Sequence, residues 1–162
     1  MTNSIQLTPF SDETGEVVAT AKIWGQEIEV FLDKDEFCDT LPNQQQVDKI
    51  IKHLIWLNDN KKPVIDFALE CENFVENFND WIEDEVKKYG KAKLYDGTVL
   101  TQSVSYEKVC QSILLSSVYA VFFDDEITLS VDLVTEPDYF GGHTFNVEIN
   151  DDFLMEFGGV NG

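Results

Sequence analysis

Hydropathy along this chain predicts an α+β fold, with an antiparallel sheet from N- and C-terminal strands packed against two central helices. Three observations carry that prediction. Apolar residues alternate with polar ones over the first 33 residues, recur at helical spacing through the middle, and alternate again towards the C-terminus. No linker or low-complexity stretch divides the 162 residues, so 1–162 reads as a single domain.

The opening strands have the plainest pattern. Val17, Ala19, Ala21 and Ile23 alternate with Val18, Thr20, Lys22 and Trp24. Gly25-Gln26 then turns the chain, and Ile28, Val30 and Leu32 alternate with Glu27, Glu29 and Phe31. Period 2 on both sides of a glycine turn is a hairpin pattern. Residues 5–10 are a candidate for a further short strand. Pro42 stands where a helix begins, and Val47, Ile50, Ile51, Leu54 and Leu57 follow at helical spacing until Asn58-Asp59-Asn60.

The spacing next predicts one long helix over 63–89, opened by Pro63 and stopped by Gly90. At ~100° per residue, Val64, Phe67, Cys71, Phe74, Val75, Phe78, Trp81, Ile82, Val86 and Tyr89 form one apolar arc. Asp66, Glu70, Glu72, Glu76, Asp80, Glu83 and Asp84 fall opposite it as an anionic stripe. Lys87 and Lys88 occupy the last turn, where cations favour the helix dipole.

Asp96-Gly97 marks a turn, and residues 105–112 read as a short helix. Residues 118–123 are apolar on both faces, as in a central strand. Asp124-Asp125-Glu126 turns into Ile127, Leu129, Val131 and Leu133 at period 2, and His143, Phe145, Val147 and Ile149 share one face of the next strand. Residues 153–157 add a last strand before Gly158-Gly159. IWGQEIEVFLDKD and FGGHTFNVEINDD echo one another, which reads as two similar strand entries and not as a repeat architecture.

Charge is the outlying property. There are 31 acidic residues against 11 basic ones, a formal net charge of -20, and all 11 are Lys. Without Arg, and with a field that repels phosphates, nucleic-acid recognition is excluded as an expectation. The same field attracts a basic protein and speeds its encounter. No apolar run reaches the ~20 residues of a membrane span, and the N-terminal residues lack the basic and apolar regions of a signal peptide. Cys38, Cys71 and Cys110 are odd in number and widely spaced, which suits a reducing, cytoplasmic setting.

Chemistry-bearing motifs are few. His143 is the leading candidate: it follows Gly141-Gly142, with Asp138 and Tyr139 just upstream, and a His near a carboxylate serves as general base or metal ligand. No second His or Cys accompanies it at ligand spacing, so the simpler expectation is a half-buried His opening a strand. His53 is expected on the helix surface, and Cys110 in the core. Asp33-Lys34-Asp35-Glu36 and Asn150-Asp151-Asp152 do not continue into a calcium loop, so neither metal nor cofactor is expected. Nucleotide-binding and nucleophile-elbow motifs do not occur.

The stretch FGGHTFNV, Phe140 to Val147, resembles a group of small uncharacterised bacterial domains with a C-terminal aromatic-Gly/Trp-Gly-His-apolar-x-Val pattern. The opening hairpin IWGQEIEVFLD and the helices after it are similar in layout to that group's first half. Its members are often encoded among polymorphic-toxin and immunity genes, so the resemblance implies immunity-type binding. It carries Gly141, Gly142 and His143 over only as motif positions without an assigned role. The leading expectation is an acidic cytoplasmic protein without a catalytic residue, binding a basic partner such as a toxin domain through Asp66, Glu70, Glu76, Asp80, Glu83 and Asp84. The alternatives are a small-ligand protein or enzyme with a pocket around His143, and an acidic surface that serves solubility alone.

Overall fold

The computed structural model describes residues 17–33 and 42–162. The candidate strand at residues 5–10, Cys38, and Lys34, Asp35 and Glu36 of the first acidic cluster lie outside the described residues. The hairpin β1 (Val17–Ile23) and β2 (Gln26–Asp33) comes first, then helices α1 (Gln44–Asp59), α2 (Lys61–Cys71) and α3 (Phe74–Tyr89). A small hairpin of β3 (Ala92–Lys93) and β4 (Val99–Leu100) and a short α4 (Tyr106–Ser112) lead into β5 (Ile113–Phe123), β6 (Glu126–Thr135), β7 (Thr144–Ile149) and β8 (Met155–Asn161).

The α+β class is as the sequence predicts, but the sheet is mixed. Its six strands run in the order β1-β2-β5-β6-β7-β8, and β2 pairs with β5 in parallel while every other pairing is antiparallel. Hairpins join neighbouring strands antiparallel, whereas the helical segment between β2 and β5 is long enough to return the chain to the same end. Alternation of single residues within each strand carries no information about that pairing.

Alternation does determine which side chains are buried. Ala19, Ala21 and Ile23 of β1, Ile28, Val30 and Leu32 of β2, Ile127, Leu129, Val131 and Leu133 of β6, and Phe145, Val147 and Ile149 of β7 are all buried. The helices cover them: α1 packs on β1 and β6, and α2 on β7 and β8. Leu54, Leu57, Val64 and Ala68 are fully enclosed in that contact, and Ile82 of α3 is fully buried as well. Each large aliphatic side chain buried this way contributes about 1.5–3 kcal/mol. The indole N–H of Trp24 donates to the Leu57 carbonyl and its backbone N–H to Asn58 Oδ1, both at 2.8 Å, so the β1–β2 turn clasps the end of α1.

Two helix boundaries differ from the expected single helix over 63–89. The chain breaks between α2 and α3, where Asn73 takes a left-handed φ of 48° and its N–H bonds the Glu70 carbonyl. Asn is among the few non-glycine residues that visit this region readily. The break re-aims α3, so the single arc does not hold: Cys71 is exposed, and Trp81 and Tyr89 are 39% and 69% exposed. α3 ends at Gly90 as expected, with φ of 77°. Strand β8 also runs through Gly158-Gly159 instead of stopping before them, pairing with β7 on both sides of Gly158, and position 158 is a glycine because a Cβ there would strike the Asn146 side chain. The short helix α4 is confirmed, with the Ser105 hydroxyl accepting from the Lys108 N–H.

Candidate functional site

The acidic stripe separates into parts. On α3, Glu76, Asp80, Glu83 and Asp84 are exposed and fall within roughly 100° of one another at 3.6 residues per turn. None of the four has an ion pair or side-chain hydrogen bond among the described residues. Lys87 lies in the same arc and closes the stripe with a cation. Glu70 is exposed on α2. Asp66 is engaged: it accepts from Lys62 Nζ and from the Tyr106 hydroxyl, each at 2.7 Å, tying α2 to α4.

That contact borders a cleft of about 470 Å³ that also takes in Cys110, which is partly buried and packs against the core. The Lys62 hydrogen bond, reinforced by Tyr106, holds the Asp66 carboxyl below its usual range. Burial, then Asp66, pushes the Tyr106 phenol well above its usual range, and the same two causes raise the Cys110 thiol. Both groups therefore keep their protons at neutral pH, so neither is an activated nucleophile.

His143 lies in the second, larger cleft, of about 620 Å³, between α3, the β3–β4 hairpin and the β6–β7 loop. Phe78 and Trp81 come from α3, Lys93 and Tyr95 from the hairpin, and Asp138, Tyr139 and Gly141 from the loop. Asp96 joins hairpin to loop: its carboxylate accepts from the Thr98 N–H and the Asp138 N–H, both at 2.9 Å, and these bonds lower its pKa. Asp138 Oδ1 in turn accepts from the Gly142 N–H at 3.0 Å. Gly141 and Gly142 have φ of 66° and 81°, which explains two successive glycines before β7. The expected half-buried His is instead exposed, because β7 begins one residue after it. The motif is thus legible as a turn that delivers His143 to a cleft mouth. Tyr139 and Tyr95, equally part of that cleft, carry no sequence signal that separates them from core aromatics.

The other histidine is the buried one. His53, expected on the helix surface, is 2% exposed beneath the β7–β8 turn. Its Nδ1 lies 3.0 Å from the Lys49 carbonyl oxygen and its Nε2 2.9 Å from that of Asn150, and Phe153 stacks on its ring at 4.4 Å. Helical spacing placed it beside the apolar stripe, and the β7–β8 turn completes its enclosure.

Among the described residues no three His, Cys, Asp or Glu side chains come together to hold a metal ion, and no helix is long and apolar enough to cross a membrane. Comparison with protein-family models, curated proteins and solved structures finds no match to this chain.

Proposed function

We propose that this protein is an acidic cytoplasmic binding module that engages a basic protein through the exposed face of α3. The resemblance of its FGGHTFNV segment to immunity-associated domains makes a toxin domain the proposed partner. One observation carries the reading: Glu76, Asp80, Glu83 and Asp84 stand on one helical face with no partner among the described residues, although Lys residues are available nearby in α3. Four unpaired carboxylates repel one another, and a basic surface relieves that repulsion on docking. Glu70 extends the surface on α2, while Asp66 contributes field more than contact, since both its oxygens are engaged.

The test is the triple variant Glu76→Lys, Asp80→Lys and Glu83→Lys, set against a basic partner recovered by pull-down from the native host. Association is expected to slow roughly 10-fold or more at low salt, with a flatter salt dependence than wild type. Melting should be unchanged, because all three side chains are exposed. Equal association rates for the two proteins would move the interface off α3.

A second reading, a ligand-binding protein, is supported by the aromatic cleft at whose mouth His143 stands.

A further inference from the structure

In the cleft between α3, the β3–β4 hairpin and the β6–β7 loop, one almost wholly buried residue carries a polar group with no partner among the described residues. Tyr139 is 4% exposed, and its hydroxyl has no hydrogen bond among the described residues. Every fully occluded side-chain nitrogen or oxygen there does have one. The hydroxyl therefore keeps solvent access, and the cleft that Tyr139 lines supplies it. A polar group enclosed this far is costly to leave unpaired, and a ligand that accepts its proton recovers that cost.

The remaining side chains repeat the bias towards donors. Lys93, Trp81 and His143 line the same space, and none of their side chains has a hydrogen bond or ion pair among the described residues. Acceptors are scarcer: one Asp138 oxygen is taken by the Gly142 N–H, and both Asp96 oxygens by backbone N–H groups. The walls are flat and apolar. Trp81 stacks on Phe78 with centroids 5.8 Å apart, and Phe140 stacks on Phe145 at 3.9 Å behind the loop. A Cβ at 141 would meet the Tyr95 ring at 3.6 Å, an ordinary van der Waals contact, so the hairpin and the loop lie against each other at the mouth. Burial, followed by the Asp96 charge, raises the Tyr139 phenol, which keeps it a donor across neutral pH.

We infer that this cleft binds a planar, largely apolar ligand presenting a hydrogen-bond-accepting oxygen, a carbonyl or carboxylate, which the Tyr139 hydroxyl receives while Lys93 and His143 line the mouth. The inference rests on the ligand-binding reading and is independent of the α3 interface. A cationic ligand fits less well, because a lysine already lines the cleft and three of the four carboxylate oxygens of Asp96 and Asp138 accept backbone N–H groups.

Titration of the full chain with benzamide, benzoate and 2-phenylethylammonium, followed by the Trp81 indole and His143 ring NMR signals, tests it. The two oxygen-bearing probes should shift both signals and the ammonium should not. Tyr139→Phe should weaken benzamide and benzoate about 10-fold while leaving the melting temperature in place, since the lost hydroxyl has no hydrogen bond among the described residues. A tripeptide ending in Phe, with a free or an amidated terminus, separates the sources. Binding of the free form alongside benzoate points to a chain terminus, and its exclusion points to a free small molecule. Preference for the ammonium, or equal affinity in Tyr139→Phe, overturns the inference but leaves a ligand site standing. No shift with any probe removes both.

Discussion

Two loops at the sheet's rim are built from similar parts and use them differently. The β7–β8 turn sits over α1, and the β6–β7 loop sits beside α3. Each is shaped by an Asx side chain that caps backbone N–H groups: Asn150 Oδ1 accepts from Asp152 and Leu154, and Asp138 Oδ1 accepts from Gly142. Each places aromatic rings against its helix, Phe153 on His53 and Trp56 in one, Tyr139 against Phe78 in the other. In the first loop the polar groups are matched. His53 meets two carbonyl oxygens, and Asp151 accepts from Lys49 Nζ and from the Ile127 N–H. In the second, the Tyr139 hydroxyl and the His143 ring have no partner among the described residues and line a cleft. Matched polar groups hold a structure together, whereas enclosed but unmatched ones mark where something else binds.

The largest expected effect comes from the matched side. His53→Ala should cost about 2–4 kcal/mol in denaturant unfolding, through a cavity under Phe153 and the loss of the ring's hydrogen bonding to a backbone carbonyl. His143→Ala, on an exposed ring, should stay within about 0.5 kcal/mol. Similar losses for the two variants would erase the contrast between the loops.

A smaller effect is expected at Asp151. The Lys49 hydrogen bond, then the Ile127 N–H, holds its carboxyl below the usual range, so its contribution to stability is complete above the ordinary carboxylate pKa of ~3.9 and is lost as pH falls through the depressed folded value. Asp151→Asn should cost about 1 kcal/mol or less at neutral pH, since the pair is one-third exposed, and the difference from wild type should shrink in acid. A difference that grows on acidification would show that another group governs this turn.

The smallest effect sharpens the comparison most. Tyr139→Phe should alter stability by no more than about 0.5 kcal/mol, although the residue is almost wholly buried. A loss of 2 kcal/mol or more, comparable to His53→Ala, would reveal a hydroxyl engaged within the protein and close the gap between the two loops.

Much of the architecture was legible because its signals are local. The turn at Gly25, the helix start after Pro42, the short helix at 105–112, the stop at Gly90 and the alternation of β6 each depend on a few adjacent residues. The Asn73 break was hidden by an apolar pattern that runs continuously across it, since a left-handed Asn leaves no mark in periodicity. His143 was singled out by its glycines, but its companions Tyr95 and Tyr139 were not, because an aromatic residue reads alike whether it fills a core or walls a cleft.

The sequence by itself determined the α+β class, most helix and strand positions, the lysine-only basic set and the acid excess, because composition and period are properties of the chain alone. Tertiary structure decided that β2 and β5 run parallel, that Asp66 serves a helix contact while its neighbours on α3 stay unpaired, and that His53 is enclosed while His143 is not. Each of these depends on residues far apart in sequence meeting in space. Whether a polar side chain finds a partner is settled by that meeting, and not by the residues on either side of it.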